Sequence, residues 1–508
     1  MSVFRRVSAL WLFPLLLMLL GSPSVHAQSP LFKSLHSFNF ADGALPYGNM
    51  MQGSDGALYG TTYVGGSAGL GTVFRVTLAG ELTTLHSFHG ADGTHPRSAV
   101  IQGSDGALYG TTADGGTTTT GGAGNGTLFR LTLAGDFTSL HTFDYPYGLY
   151  PQAGVIQGSD GALYGATYYG GGSANAGTVY RLTLAGDFTT LHTFNYTDGA
   201  YPSGGVMQSS DGALYGTTYG GGVGYGTVYR LTLAGDFTTL HTFHYTDGAY
   251  PEAGVIQGSD RALYGATSNS NGSGIIGVGS VFRLTLAGDL TTLHAFNNTD
   301  GAVPYAGVIQ GSDGALYGTT YFTTYLGDHY GDGTVFRLTL AGDLTTLHTF
   351  NNTDGSNPFT GVIQASDGAL YGATILGGSA GYGTLFSLSQ PDTTPPVVTA
   401  AASNNALWPP NGKMVPVTIT GKITDEIGGS GVDSGSGTYS TVDSYGQVQP
   451  AGSFTIQPDG SYSFTILLEA RRSGRDKNGR TYTITVTAKD RAGNIGKKAV
   501  TVTVPHNQ

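Results

Sequence analysis

The stretch "GGVMQSSDGALYGTTYGGGVGYGTVYRLTLAGDFTTLHTFHYTDGAYP" (residues 204–251) contains four β-rich runs and the turns that separate them. The runs "GVMQ", "ALYGTT", "GTVYRLTL" and "DFTTLHTF" are short and bounded by Gly or Asp-Gly, which is typical of strands and not of helices. The core "ALYG" occurs seven times, and its Tyr residues follow one another at intervals of 50, 55, 51, 49, 53 and 54 residues. This period predicts an all-β tandem-repeat fold.

Four antiparallel strands in about 50 residues correspond to one blade of a β-propeller, and seven copies suit a closed ring. The chain ends complement each other, because the seventh copy stops at "GTLFSLSQ" (383–390) without its fourth strand, whereas "FKSLHSF" (32–38) precedes the first copy. Pairing these two segments would remove two open sheet edges. We therefore predict a seven-bladed β-propeller over residues 28–390, closed by strand 32–38. A linear solenoid is the alternative.

The repeated elements "DGxxP", "SDGALYG", "GT(V/L)(F/Y)RLT" and "LHTF" resemble the GloVer tandem repeat of secreted bacterial proteins. The resemblance covers roughly residues 31–390. It implies an exported surface protein, and it implies no particular chemistry.

Composition and the chain ends narrow the classes of function. Arg5 and Arg6, the apolar run from Val7 to Leu20 and the sequence Val25-His26-Ala27 predict a signal peptide over residues 1–27, with an uncleaved anchor as the alternative. No second apolar stretch follows, so no membrane span is expected after removal of the signal, and the protein is expected to be secreted or held at the cell surface or in the periplasm. The formal charge of −11 argues against a nucleic-acid partner, and the absence of cysteine excludes disulfides and thiolate sites.

Composition changes at the Pro-rich segment "SQPDTTPPVV" (389–398), within which residues 391–396 are predicted to be a linker. The remaining residues, 397–508, alternate in β fashion and predict a β-sandwich. Their opening "LWPPNGKMVPVTI" and ending "YTITVTAKDRAGN" resemble bacterial immunoglobulin-like domains appended to surface proteins. Asp425 and Asp490 in this region could bind calcium, and turn capping is their alternative role.

Residues that recur in every copy are explained by the repeat itself. The Asp of "SDG" is expected to bond the backbone of its own turn while the Gly adopts positive φ, and a calcium ligand is the alternative. The fifth copy has Arg261 in place of that Gly, so its turn must differ or carry strain. The seven histidines of "LHxF" cannot converge on one metal ion, so we interpret them as structural.

The loop between the second and third strands varies most between copies, and it shares a face with the "DGxxP" segment, hereafter the link. Exposed tyrosines provide rigid contact area with a polar tip, which suits glycan or protein ligands. The alternative is that these rings pack between blades. The residues predicted to form this ligand-binding rim are Tyr63, Tyr168, Tyr169, Tyr219, Tyr225, Tyr321, Tyr325, Tyr330 and Tyr382.

Acidic residues that the other copies lack occur in one variable loop and after one link proline. The sixth loop, "GDHYGDG", brings together Asp328, His329 and Asp332, which could hold a metal ion, although their spacing fits no established loop signature. Glu252, after Pro251, has no partner that the sequence identifies. No cofactor is expected, and calcium is a possible ion at these acidic residues.

These observations predict an exported, non-catalytic binding protein that contacts an extracellular glycan or protein through the variable loop face. The alternatives are a propeller enzyme acting on polysaccharide, as a lyase or glycosidase, and a structural envelope protein. No catalytic motif is recognisable, but a site assembled from distant repeats would escape a motif search. A deep central pocket with asymmetric carboxylates or histidines would favour the enzyme.

Overall fold

A computed structural model describes residues 31–117, 124–269, 278–297, 299–326, 329–389, 392, 394–425 and 431–506, with the side chains of 324–326, 329 and 330 left aside. The predicted signal peptide lies outside these residues. The described part is all-β apart from one short 3₁₀ helix at Gly172–Ala174. Within it, no helix has the length and hydropathy needed to cross a membrane.

In the described part of the chain, the repeats form seven four-stranded antiparallel sheets, numbered here 1 to 7 in chain order. The chain starts with β1 (Leu31–Ser37), which belongs to sheet 7. Sheet 1 contains β2 (Met51–Gln52), β3 (Leu58–Thr62), β4 (Thr72–Val76) and β5 (Leu82–Ser87). Sheet 2 contains β6 (Ile101–Gln102), β7 (Leu108–Thr112), β8 (Thr127–Leu131) and β9 (Phe137–Thr142). Sheet 3 contains β10 (Ile156–Gln157), β11 (Leu163–Thr167), β12 (Thr178–Leu182) and β13 (Phe188–Thr193). Sheet 4 contains β14 (Met207–Gln208), β15 (Leu214–Thr218), β16 (Thr227–Leu231) and β17 (Phe237–Thr242). Sheet 5 contains β18 (Ile256–Gln257), β19 (Leu263–Thr267), β20 (Ser280–Leu284) and β21 (Leu290–Ala295). Sheet 6 contains β22 (Ile309–Gln310), β23 (Leu316–Thr320), β26 (Thr334–Leu338) and β27 (Leu344–Thr349), with the hairpin β24 (Thr323–Leu326) and β25 (His329–Gly331) inserted between β23 and β26. Sheet 7 contains β28 (Ile363–Gln364), β29 (Leu370–Thr374), β30 (Thr384–Ser389) and β1.

The two ends of the repeat region meet in sheet 7. Strand β1 pairs antiparallel with β30, so that Leu31 lies opposite Ser389 and Ser37 opposite Thr384. This is the pairing that the complementary chain ends predicted. A linear solenoid would leave these edges apart, so that alternative is wrong.

The hydrophobic cores lie between neighbouring sheets, because the second and third strands of each sheet are buried on both faces. Seven clusters of buried apolar side chains join successive sheets, and one of them joins sheet 7 to sheet 1. In that last cluster, Phe38 packs with Phe74 of sheet 1 and Leu385 of sheet 7. The fourth strands contain exposed and partly buried residues and no fully buried ones, as expected at an outer edge.

A second set of contacts closes the ring through hydrogen bonds. The Gln that ends each first strand accepts a hydrogen bond at Oε1 from the backbone N–H of the turn in the preceding sheet, at 2.8–3.1 Å. Its amide nitrogen donates to a carbonyl of its own turn, as Gln52 does to Gly56. The cycle ends where it began, since Ser366 of sheet 7 donates to Gln52 of sheet 1. The fold is therefore a propeller-like ring of repeated four-stranded sheets.

The "SDG" turns are held by a repeated set of three side chains. In sheet 1, Asp55 Oδ1 accepts from the N–H of Ala57, while its Oδ2 accepts from the hydroxyl of Tyr59 and from Arg75 at 2.7 Å. Although burial opposes the effect, these hydrogen bonds lower the pKa of Asp55. The same arrangement recurs in sheets 2 to 6, and in sheet 7 Ser387 replaces the arginine. The aspartates thus bond their turns, as predicted.

The fifth turn keeps this arrangement despite its substitution. Arg261 adopts a φ of 66°, whereas the glycines at the same position adopt a φ of about 80°. Left-handed backbone destabilises a residue with a Cβ by about 1–2 kcal/mol. Glycine avoids this cost but loses more conformational entropy on folding, which offsets part of its advantage. The sequence predicted a different turn or a strained one. The turn keeps its hydrogen bonds, and the positive φ of Arg261 implies strain.

We expect Arg261→Gly to raise the free energy of unfolding by about 0.5–1 kcal/mol, because it removes that strain. Urea unfolding of both proteins would measure the difference. The reciprocal change Gly161→Arg, at the equivalent turn of sheet 3, should lower stability by a similar amount. A loss of stability in Arg261→Gly would mean that the arginine side chain makes compensating contacts.

The repeated histidines pair with the aspartate of the following link. His36, for example, lies 3.0 Å from Asp42, and five further copies make the same contact at 2.9–3.3 Å. His141 is the exception, since Tyr147 occupies the position of the aspartate in its link. These contacts anchor each link to the outer strand of the sheet before it.

The C-terminal region consists of two sheets around a separate core. One sheet contains β31 (Val397–Val398), β32 (Ala401–Ala402), β33 (Met414–Thr424) and β36 (Ser461–Glu469), and the other contains β34 (Thr438–Asp443), β35 (Ala451–Ser453), β37 (Arg480–Lys489) and β38 (Ile495–Val504). Buried side chains from both sheets, among them Ile419, Leu468 and Ile484, form one cluster. The assignment to the immunoglobulin-like class stays a prediction.

Candidate functional site

The seven links converge on a cavity of about 430 Å³. In sheets 1 to 6 its wall consists of the three residues that follow the link proline, before the first strand of the sheet begins, and in sheet 7 it includes the first of them, Phe359. All seven sheets contribute to it, so the cavity lies where the sheets meet at the centre of the ring. A site at this place is assembled from residues about 50 positions apart in sequence.

Small residues allow the sheets to approach one another at this centre. A Cβ on Gly204 would collide with the backbone of Ala253 and Gly254, and a Cβ on Gly254 would collide with the carbonyl of Gly205. The second and third residues after the proline are accordingly small in most copies. The backbone closes around the centre, and the first residue after each proline carries the larger side chain into the cavity wall.

That first residue differs between copies more than the repeat around it. In chain order the seven positions carry Tyr47, Arg97, Gln152, Ser203, Glu252, Tyr305 and Phe359, and every one of them lines the cavity. Equivalent backbone positions thus present one cation, one carboxylate, two neutral polar groups and three aromatic rings. Nothing in the structure of the sheets requires this asymmetry, which marks the cavity as the candidate functional site.

Among the described residues, the polar side chains of this set have no hydrogen-bond partner. Within the part of the chain that the structure describes, no hydrogen bond or ion pair is recorded for the side chains of Arg97, Gln152 or Glu252. The Oγ atom of Ser203 is buried and unpaired. A buried hydroxyl without a partner costs free energy that a bound ligand would recover. The half-buried side chains of Arg97, Gln152 and Glu252 offer further hydrogen-bonding groups to the same ligand.

The aromatic members form a continuous wall. The rings of Tyr305 and Phe359 stack with their centroids 4.8 Å apart, and Tyr47 meets Phe359 edge-on at 4.9 Å. Arg97 extends this wall, with its Cζ 5.4 Å from the centroid of Tyr47 and 5.6 Å from that of Tyr63. One side of the cavity is therefore aromatic, and the other, formed by sheets 3 to 5, is polar.

Burial dominates the electrostatics of Glu252. It raises the pKa of this carboxyl from 4.5 to about 7, against the opposing effect of Arg97. Burial also raises the pKa values of Tyr168, Tyr219 and Tyr305, and the charge of Glu252 adds to each of these shifts. Glu252 is thus a carboxyl poised near neutral pH among tyrosine rings.

Four of the nine predicted rim tyrosines lie next to the links that form the cavity wall. Tyr63, Tyr168, Tyr219 and Tyr321 are the first residues after their second strands. The backbone N–H of each donates to the carbonyl of the residue before the link proline of its own sheet. Tyr63 lies 5.2 Å from Tyr47, and Tyr321 lies 5.0 Å from Tyr305. Tyr168 and Tyr219 instead stack on Tyr201 and Tyr250, which precede the link prolines. All four rings are half-buried, in agreement with the packing alternative as well as with a role at the site.

The other predicted rim residues lie farther out or outside the described side chains. Tyr169 packs against Tyr168 at 4.8 Å, and Tyr225 packs 6.0 Å from Tyr250. Tyr382 is 40% exposed and contacts Phe40. The side chains of Tyr325 and Tyr330 are not among those described.

The metal cluster predicted in the sixth loop cannot be placed as a unit. Asp328 and the side chain of His329 lie outside the described residues. Asp332 is described, and its Oδ1 accepts a hydrogen bond from the hydroxyl of Ser356 at 2.6 Å. The metal assignment therefore stays a prediction.

In the C-terminal region, the two aspartates predicted to bind calcium lie together with a third from the linker. Carboxylate oxygens of Asp392, Asp425 and Asp490 all lie within 4.8 Å of one another. Asn494 donates hydrogen bonds to Asp490 and to the carbonyl of Asp392. This geometry brings the predicted pair together, and calcium binding there stays a prediction.

Most residues of the cavity belong to no sequence motif. Tyr47, Arg97, Gln152 and Ser203 lie in none of the candidate sites that the sequence predicts, and Glu252 has no partner that the sequence identifies. The signal was present, because aligning the seven copies on the link proline shows a different class of residue at the next position. Only the convergence of the links shows that these seven residues share one cavity.

Comparisons with solved structures return propeller-like proteins at low similarity. A luciferin-regenerating enzyme is 12% identical over 71% of this chain and 95% of its own, with a TM-score of 0.35. Dipeptidyl peptidase 4 of Porphyromonas gingivalis is 10% identical over 78% of this chain and 58% of its own, also at 0.35. A PL25 ulvan lyase is 10% identical over 92% and 95%, at 0.29. Such values say nothing about the activity of this chain.

Among curated proteins, none matches this chain in sequence. The model of the Gloeobacter/Verrucomicrobia repeat matches residues 24–209 and 170–323, which together span more than half of the chain. The recurring "SDGALYG" and "LHTF" elements lie within both ranges. The chain therefore belongs to the Gloeobacter/Verrucomicrobia repeat family.

Proposed function

We propose that this protein is an exported binding protein that takes a saccharide into the central cavity of its repeat ring. The observation that carries the proposal is the asymmetric ring of residues after the link prolines, with unpaired polar groups facing aromatic rings in one cavity. Sugars present hydroxyl groups at their edges and C–H groups on their faces, so they suit a site with one polar and one aromatic side.

The size of the cavity agrees with a small ligand or the end of a chain. Ligand pockets typically measure about 300–1,000 Å³, and this cavity, at about 430 Å³, lies within that range. The supporting tyrosines behind the wall hold its rings in place, which reduces the entropy lost on binding. The proposal moves the ligand from the outer loops, where the sequence placed it, to the centre of the same face.

We expect Tyr305→Ala with Phe359→Ala to weaken saccharide binding by about 30-fold or more, because these stacked rings form the apolar wall. A glycan array would identify the best-bound saccharide, and calorimetric titration with that saccharide would measure the affinity of each variant. Thermal unfolding would show that the double variant is folded.

The matched control is Tyr382→Ala, which removes an exposed loop tyrosine outside the cavity wall. Its affinity should equal that of the unmodified protein. If Tyr382→Ala weakens binding and the cavity variant does not, the ligand binds on the outer loops and the cavity proposal is wrong.

The second candidate function is cleavage of a polysaccharide, and Glu252 is the observation that favours it. A carboxyl with a pKa of about 7 can act as a general acid near neutral pH. Glu252 is, however, the one carboxylate among the described residues that line the cavity, whereas glycosidases with paired carboxylates need two. New reducing ends or unsaturated products from a polysaccharide, lost in Glu252→Gln, would establish the enzyme in place of the binding protein.

A further inference from the structure

Arg97 and Glu252 are an unpaired cation and an unpaired carboxyl in the wall of one cavity. They belong to sheets 2 and 5, so two sheets of the ring separate them on one side and three on the other. In the described part of the chain, no ion pair within 4.0 Å joins either group to a protein partner. A cavity that holds both groups apart can satisfy each with a different part of one ligand.

The surroundings of Arg97 orient it for an anion. The rings of Tyr47 and Tyr63 lie 5.4 and 5.6 Å from its Cζ and attract the guanidinium through their faces. These contacts use no N–H donor, so the donors of the guanidinium edge stay available. A carboxylate accepts two such donors at once, which an ammonium or a hydroxyl cannot do.

The surroundings of Glu252 suit a cation. Tyr305, which follows the proline of the next link, lines the cavity beside Glu252. The negative charge of Glu252 also raises the pKa values of Tyr168 and Tyr219, so these two residues lie within range of its electrostatic field. The neighbouring position toward sheet 4 carries Ser203, a small residue that leaves room in the wall. Carboxylates and tyrosine faces together form favourable surroundings for an ammonium group.

We propose that the cavity binds a saccharide that carries both an anionic group and an ammonium group, the anion at Arg97 and the ammonium at Glu252. This inference rests on the proposed saccharide binding and names its ligand class. A ligand with one charge would pair with one of these two groups and leave the other unpaired, whereas a ligand with both charges pairs with the two together. Gln152 and Ser203, between them on the polar side, offer hydrogen bonds to ring hydroxyls.

The experiment compares four monosaccharides that differ in charge: D-glucose, D-glucuronate, D-glucosamine and muramic acid, which carries both a carboxylate and an amine. Calorimetric titration of the full chain at pH 7 should give the highest affinity for muramic acid, by about 10-fold or more over either singly charged sugar, as expected for one further charge-assisted hydrogen bond. Arg97→Gln should remove the preference for the carboxylate and keep that for the amine. Glu252→Gln should do the reverse.

Matched controls make the same substitutions at exposed sites outside the cavity, Arg471→Gln and Glu81→Gln, and should leave all four affinities unchanged. If glucose binds as tightly as muramic acid, or if both cavity variants weaken all four sugars equally, the charge assignment is wrong while saccharide binding stands. If none of the four sugars binds and the glycan array is also silent, the proposed function itself fails.

Discussion

A chain that lacks residues 31–38 is expected to lose cooperative unfolding and to aggregate. Strand β1 supplies the fourth strand of sheet 7, so its removal exposes the hydrogen-bonding edge of β30. It also removes Phe32, which stacks on His348 at 3.8 Å, and Phe38, which is fully buried. Deleting a buried Phe side chain alone costs about 3–5 kcal/mol, and a domain has only about 5–15 kcal/mol of stability.

Calorimetry and size-exclusion chromatography of the deleted and complete chains would measure this effect. A synthetic peptide of residues 28–40 added to the deleted chain should restore the transition, because the peptide can pair with β30. The point variant Phe38→Ala provides a milder test and should lower stability by about 3–5 kcal/mol. A deleted chain that melts like the complete one would show that β1 does not hold the ring closed.

Replacing Glu252 by Gln is expected to stabilise the protein at high pH by about 3 kcal/mol. The pKa of Glu252 is raised from 4.5 to about 7 by burial, so the folded state holds this proton over a pH range in which the unfolded state has lost it. The stability that comes from the proton is fully present below pH 4.5 and is lost as the pH rises through about 7. One pKa unit corresponds to about 1.4 kcal/mol, which yields the expected size.

The measurement is the free energy of unfolding of both proteins at pH 4 and pH 8. At pH 4, below the unfolded-state pKa of 4.5, they should be about equally stable, since Gln resembles the protonated carboxyl in shape and charge, and at pH 8 the variant should be the more stable. The comparison cancels the contribution of every other group, because the two proteins differ at this one residue. Glu81→Gln, at an exposed position, should show no such difference between the two pH values. A variant that is less stable at pH 8 would mean that the ionised carboxyl is favourably bound within the protein.

Such a gain in stability would itself bear on function. A buried carboxyl that destabilises the folded protein at neutral pH is retained at a cost in free energy, which is typical of residues that a binding or catalytic site requires. Arg97 shares this property of being unpaired in the cavity, so both charges agree with a site completed by its ligand.

Local chemistry was sufficient to predict the strands and turns of each repeat. The "SDG" turn is specified by an aspartate that bonds two residues ahead and by a glycine free to adopt positive φ, and Asp55 and Gly56 do so. The pairing of the chain ends could also be predicted. The first strand of the repeat region has no partner in its own repeat, and the seventh repeat lacks its fourth strand, so pairing the two satisfies the backbone hydrogen-bonding groups of both edges.

The hydrogen bonds between the side chains and turns of neighbouring sheets could not be predicted from local sequence. The hydrogen bond from Ser366 to Gln52 joins residues 314 positions apart, and no property of either local sequence names its partner. The sequence by itself determined the repeat, its strands, its turns and the pairing of its ends, because those depend on interactions between residues near in sequence or on the count of unpaired edges. Only the tertiary structure decided that Tyr47, Arg97, Glu252 and Phe359 share a cavity. Each is an ordinary link residue in its own repeat, and their electrostatics arise only when the closed ring places them around a common, desolvated space.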